Sequence, residues 1–118
     1  MPTTAEMYDV AIELQQQGRL EEAVGKLHEI LKQEETYALA HAALSVFYSR
    51  LQRHEEATAH ARRVCELEPD DPFSFIALSL ICQKAGRLEE AERAMLQARQ
   101  TQYAQYLARQ DEGSAPSE

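Results

Sequence analysis

Cys65, Cys82, four histidines and the glutamate pairs at 21–22, 55–56 and 89–90 are the residues of this 118-residue chain with types suited to chemistry. Catalysis needs a nucleophile, base or metal set within hydrogen-bond reach. A separation of 17 residues between Cys65 and Cys82 fits no usual metal motif. His28 and His60 fall on the outside of predicted second helices, and no cysteine or carboxylate pattern completes three or four ligands around them. His41 occupies a packing position. Two small apolar thiols in a helical core explain the cysteines, which are expected reduced and structural. Each glutamate pair opens a helix, where unpaired backbone N–H groups favour negative charge, and forms no acid–base dyad. The expectation is a chain that is not an enzyme and holds neither cofactor nor metal.

The elements that carry these residues repeat. The string "GRLEEA" occurs at 18–23 and again at 86–91, with "QRHEEA" between them at 52–57, each copy 34 residues from the last. Blocks at 4–37, 38–71 and 72–105 bring Ala23, Ala57 and Ala91 to one position and Glu22, Glu56 and Glu90 to the one before it. Leu27, Ala61 and Met95 align, as do Ile30, Val64 and Ala98. Every block reads as helix, tight turn, helix, with predicted helices at 4–17, 20–34, 38–51, 54–67, 72–85 and 88–109. Gly18 and Gly86 supply the left-handed residue that ends a helix, and Gln52 must make the same turn with a Cβ. The small alanines let two helix backbones approach closely. Pro69 ends one helix and Pro72 suits the start of the next.

Length and charge narrow the function. The chain is long enough for one domain with a real core. Twelve basic against twenty acidic residues leave a net charge of −8, which offers little to nucleic acid or an anionic membrane. There is no apolar run of spanning length and no basic, apolar leader, so a reducing cytoplasm is the expected setting. The domain is expected over 1–109, followed by a disordered acidic tail at 110–118.

Three blocks in register resemble the tetratricopeptide repeat family, a 34-residue helix–turn–helix unit that stacks into a solenoid. The resemblance covers residues 4–103. It rests on the turn residues Gly18, Gln52 and Gly86, on Ala23, Ala57 and Ala91, and on Pro69 with Asp70 and Asp71. Tyr48 holds the family's first-helix aromatic position, taken by Leu14 and Cys82 elsewhere. The family's early Trp is replaced by Met7, His41 and Phe75, its first-helix Gly by Ala11, Ser45 and Ser79, and its closing Pro by Glu35 and Tyr103 outside block two. The resemblance implies an all-α fold, a right-handed superhelical α-solenoid of three such repeats with the last helix extended.

It also implies that first helices line a concave groove, with Tyr8, Ile12, Leu39, Val46, Phe73, Ile76 and Leu80 pointing into it. That is a contiguous apolar band of the kind that marks a binding surface, or else wide core seen through drifting helical phase. Arg50 and Lys84 fall near the far rim, where they meet acidic flanks of a ligand or simply face solvent. Family members that clamp a chaperone's C-terminal carboxylate use Lys, Arg and Asn; the corresponding Tyr8, Ile12, Ala43, Phe73 and Ala77 donate no charge-assisted hydrogen bond of that kind. The expected function is therefore a protein-interaction module or assembly scaffold that takes an apolar helix or segment in its groove, and not a carboxylate-clamp co-chaperone. The alternative is a structural homo-oligomer, for instance a homodimer, whose groove and C-terminal helix form the self-association interface. Tyr103, Tyr106 and Leu107 share one side of that last helix, as a cap for the solenoid or a contact to another subunit.

Overall fold

The protein is described from a computed structural model, which covers residues 1–113. Six helices follow one another: α1 Thr4–Gln16, α2 Leu20–Gln33, α3 Ala38–Arg50, α4 His54–Leu67, α5 Pro72–Lys84 and α6 Leu88–Gly113. There is no strand among the described residues. Residues 114–118 of the expected tail lie outside them. The helices form three hairpins, α1 with α2, α3 with α4 and α5 with α6, and consecutive hairpins pack through α2 on α3 and α4 on α5. The result is an elongated all-α stack measuring 57 × 39 × 22 Å.

Local chemistry sets the helix ends. Thr3 caps α1 in a capping box: its side chain accepts from the Glu6 amide, and the Glu6 carboxylate accepts from the Thr3 amide at 3.0 Å. Asp71 caps α5 by accepting from the Phe73 amide at 3.0 Å, and Pro72, which has no N–H to satisfy, fills the first turn. α6 meets no breaker where α2 and α4 end. It continues through Gly113, past the Arg109 end read from the sequence.

The three tight turns share one geometry. Gly18, Gln52 and Gly86 have φ of 79°, 63° and 77°. In each case the following amide, from Arg19, Arg53 or Arg87, donates back to the carbonyl of Leu14, Tyr48 or Cys82. Gln52 is the one non-glycine among the described residues at positive φ, a conformation in which its Cβ crowds the carbonyl. Gln52→Gly is therefore expected to stabilise the protein by about 0.5–1 kcal/mol after the added chain entropy of glycine is subtracted. Urea denaturation should show a higher midpoint at unchanged slope. A lower midpoint would mean that the Gln52 side chain, 3.3 Å from His54 Nε2, contributes more than its backbone loses.

The alanines of the signature are the contact points inside each hairpin. Ala23 and Ala57 are fully buried and Ala91 nearly so. In the third hairpin the Ser79 hydroxyl donates 2.9 Å to the carbonyl of Ala91, a distance that a larger residue at either position would prevent. Leu27, Ile30 and Leu44 have no exposure and form the centre of the core. Ion pairs stitch the hairpins at the surface, Arg63 to Glu35, Arg62 to Glu90 and Arg87 to Glu55. Pairs this exposed contribute little, so burial decides the fold.

Candidate interaction surfaces

The first helices α1, α3 and α5 form one side of the stack, and α3 touches α5 directly. Along this inner face Leu39, Val46, Phe73 and Leu80 stand 53, 42, 70 and 51% exposed, far more than core residues of their size. Tyr8 and Ile12 are half-buried against the core, with the Tyr8 ring 6.3 Å from that of Tyr37, and Ile76 is half-buried as well. A cleft of about 210 Å³ opens between α3 and α5 with Val46, Ala77, Leu80 and Lys84 among its walls. Arg50, at the end of α3, lies over the Phe47 ring at 5.9 Å. Neither Arg50 nor Lys84 makes an ion pair among the described residues.

A second exposed apolar surface runs along α6. Leu88, Leu96, Tyr103, Tyr106 and Leu107 are 62, 52, 62, 55 and 44% exposed. A shallow cleft lies between the end of α5 and α6, lined by Gln83, Leu88, Glu92, Met95, Leu96 and Arg99. It occupies the place where α3 sits on the first hairpin and α5 on the second. Only Tyr103, Tyr106 and Leu107 stand out in the sequence. The rest of the stripe has a readable signal in the three- and four-residue steps from Leu88 through Met95 and Arg99 to Tyr106.

The histidines require a correction. His28 and His60 do not scatter over an outer face: with His41 and Tyr48 they form one cluster where α2, α3 and α4 meet. His41 Nδ1 is 2.9 Å from His60 Nδ1, and His28 Nε2 is 2.6 Å from the Tyr48 hydroxyl. The His60 ring stacks on Tyr48 and edges onto His28. His41 Nε2 donates to the Glu35 carbonyl oxygen at 2.7 Å, beside a carboxylate that Arg63 holds down to about 2. Burial pushes the His60 imidazole down to about 4 and that of His28 below its ordinary value. Second helices present one side to the next hairpin, so "outside the hairpin" is not outside the stack.

The cysteines are free and buried. Cys65 donates to the Ser74 carbonyl oxygen at 3.3 Å, and burial raises both thiols, which keeps them protonated and weak as nucleophiles. Among the described residues no group of three or more His, Cys, Asp or Glu could hold a metal ion. No helix among them is long and apolar enough to cross a membrane.

Residues 38–71, the α3–α4 hairpin, match the tetratricopeptide repeat family. The whole stack resembles a crystal structure of MamA at TM-score 0.80 and 15% identity, over 88% of this chain and 61% of that one. The chain therefore carries a tetratricopeptide repeat at 38–71 within a stack of tetratricopeptide fold. A further structure, MamA MSR-1 C2, superposes at TM-score 0.75 with 17% identity over 87% of this chain and 59% of that one. The second TPR of Spaghetti (RPAP3), bound to the HSP90 peptide SRMEEVD, matches at TM-score 0.73 and 19% identity, over 81% of this chain and 89% of that one. At such identities the likeness is one of fold. The chain spans about three-fifths of the two MamA chains. No curated protein sequence is similar enough to count as its relative. No catalytic motif is found among the described residues.

The Spaghetti structure overturns one expectation. The residue types at Tyr8, Ile12, Ala43, Phe73 and Ala77 point away from a carboxylate clamp and toward an apolar helix or segment as the ligand of the groove. A tetratricopeptide unit of the same fold carries an HSP90 peptide with three acidic residues, so neither that exclusion nor the apolar-ligand reading stands. The physical reason lies in what five positions can say. They show which side chains there lack a charged donor, while Arg50 and Lys84 lie outside that test.

Proposed function

We propose that this chain is a non-enzymatic protein-interaction module whose partner is a second copy of itself, with the α6 stripe as its main contact and the inner face as a further one. The observation that carries this reading is the α6 stripe. The helix is 26 residues long against 13 or 14 for the others, and it holds large apolar side chains at roughly half exposure along one side. Such a stripe is what a second helix covers in a paired assembly, and two-fold dimers are the commonest way a soluble chain covers it. The net charge of −8 weighs against nucleic acid and anionic membrane as partners, and two free thiols fit a reducing, cytoplasmic setting.

Size-exclusion chromatography with light scattering tests it. The expected mass is twice 13.4 kDa at about 100 μM, falling on dilution. A constant single-chain mass over that range would overturn self-association. A second reading, an acidic peptide on the inner face, is favoured by Arg50 and Lys84 and by the peptide in the Spaghetti structure. The same chromatography with labelled SRMEEVD separates the two. Co-elution of the peptide with a single-chain mass, lost on Lys84→Glu, supports the second reading.

A further inference from the structure

Resting on the self-association reading, the geometry points to a specific seam: we propose that two copies pair α6 on α6, antiparallel about a two-fold axis between Met95 and Leu96.

A head-to-tail arrangement is the obvious competitor, because α3 and α5 each sit on the hairpin before them. On α3, which has a hairpin before it, Ala40, Ala43 and Phe47 are buried. One block earlier the same positions on α1 are Glu6, Asp9 and Glu13, all exposed. Seating that acidic face in the cleft would strip three carboxylates of water beside Glu92, with Arg99 the one cation among the cleft's lining residues to meet them. The face of α1 is thus built to stay wet, which stops the stack from growing by its own register. What covers the cleft at α6 must be a different surface.

The α6 stripe is complementary to itself in one direction only. Glu92 and Arg99 lie on the same side of the helix seven residues apart, about 10.5 Å along its axis, too far to pair with each other. Both are exposed, and neither makes an ion pair among the described residues. In a parallel pair about a two-fold, Glu92 would meet Glu92 and Arg99 would meet Arg99. Reversing one helix about the point between Met95 and Leu96 brings each Glu92 opposite the partner's Arg99. The same operation stacks Met95 on Leu96 at the centre and Leu88 on Tyr103 at both ends. Each of Leu88, Glu92, Met95, Leu96 and Arg99, the large residues α6 gives the cleft, then has an apolar or oppositely charged mate, and two Glu–Arg pairs flank the apolar centre. This is how charges beside a helical seam choose orientation.

Charge reversal tests the seam, because Glu92 and Arg99 are exposed and their replacement leaves the hairpin core intact. Sedimentation equilibrium on the full chain should show that Glu92→Arg and Arg99→Glu each weaken the dimer by about tenfold or more, since each places like charges opposite one another. The double reversal should return the dissociation constant to within about threefold of the parent, because the pairs re-form with their signs exchanged. Circular dichroism confirms folding of all three variants. A parent that stays monomeric defeats the seam together with the self-association reading. A parental dimer that single reversals leave unchanged, or that the double reversal fails to restore, overturns the seam alone, and sensitivity to Phe73→Ala in that case moves the interface to the inner face.

Discussion

Leu44→Ala is expected to lower the stability of the fold by about 2–5 kcal/mol, a large part of the 5–15 kcal/mol a domain commonly holds. Leu44 has no exposure. It sits in the middle of α3, the first helix of the central repeat, with a hairpin packed on either side. Truncation leaves a void that neighbours on both sides would have to close, and close packing limits how far they can. The repeat supplies its own controls at the same block position. Val10 is 43% exposed because α1 has no earlier hairpin against it, and Leu78 is 7% exposed because α5 does. Val10→Ala should change stability by about 0.5 kcal/mol or less, and Leu78→Ala should approach the loss at Leu44. Urea denaturation followed by helical circular dichroism ranks the three. Equal losses at Val10 and Leu44 would mean that stability resides in each hairpin alone rather than in the stacking between them.

That contrast also marks how far the sequence could be read. The hairpins were legible because each depends on residues close in the chain: a left-handed turn at Gly18, Gln52 or Gly86, glutamates in the next first turn, and a buried small residue at Ala23, Ala57 or Ala91. The end of α6 was less so, since Gly113 and the acids before it stop a helix only weakly. Faces between hairpins were read poorly. His60 carries the label of an outer helix in its own block, yet the neighbouring hairpins put it against His28, His41 and Tyr48. Side-chain type in one block does not reveal the rotation of the next block, and a shift of one residue swings a side chain by about 100°. The exposure of Phe73 and Leu80 follows from the helical phase of α5, which Pro72 and the Asp71 cap pin at its first turn.

The histidine cluster makes acid the second strong perturbant of this fold. His41 Nε2 faces the Glu35 carbonyl oxygen, which can only accept, so Nε2 carries the hydrogen and Nδ1 of a neutral His41 accepts from His60 Nδ1. One hydrogen serves the 2.9 Å contact between the rings. A proton added at His60 puts a charge into a site walled by His28, His41 and the stacked Tyr48 ring, with the Arg53 guanidinium over that ring at 4.8 Å. Lys32 adds repulsion at His28, whereas Glu56 opposes the shift at His60 only weakly. The sign follows from the direction of the shift. His60 titrates near 4 in the fold and near 6.5 when unfolded, so between those values the unfolded chain binds a proton that the folded chain refuses. Stability should be flat above about pH 6.5, fall as the pH drops toward 4, and lose nothing further to this group below that. His28 acts in the same direction. Glu35 joins only at lower pH, since its carboxylate, held at about 2 by Arg63, contributes stability that is lost below the ordinary carboxylate range. Because His60 is only partly buried and water screens the site, the expected loss between about pH 7 and pH 4.5 is about 1–2 kcal/mol. Urea midpoints measured across that range should show it, and His60→Asn should remove most of the slope. A parent whose midpoint stays constant from about pH 7 to 4.5, or a His60→Asn protein with the same pH dependence as the parent, would show that the cluster takes up its proton without strain on the junction of α2, α3 and α4.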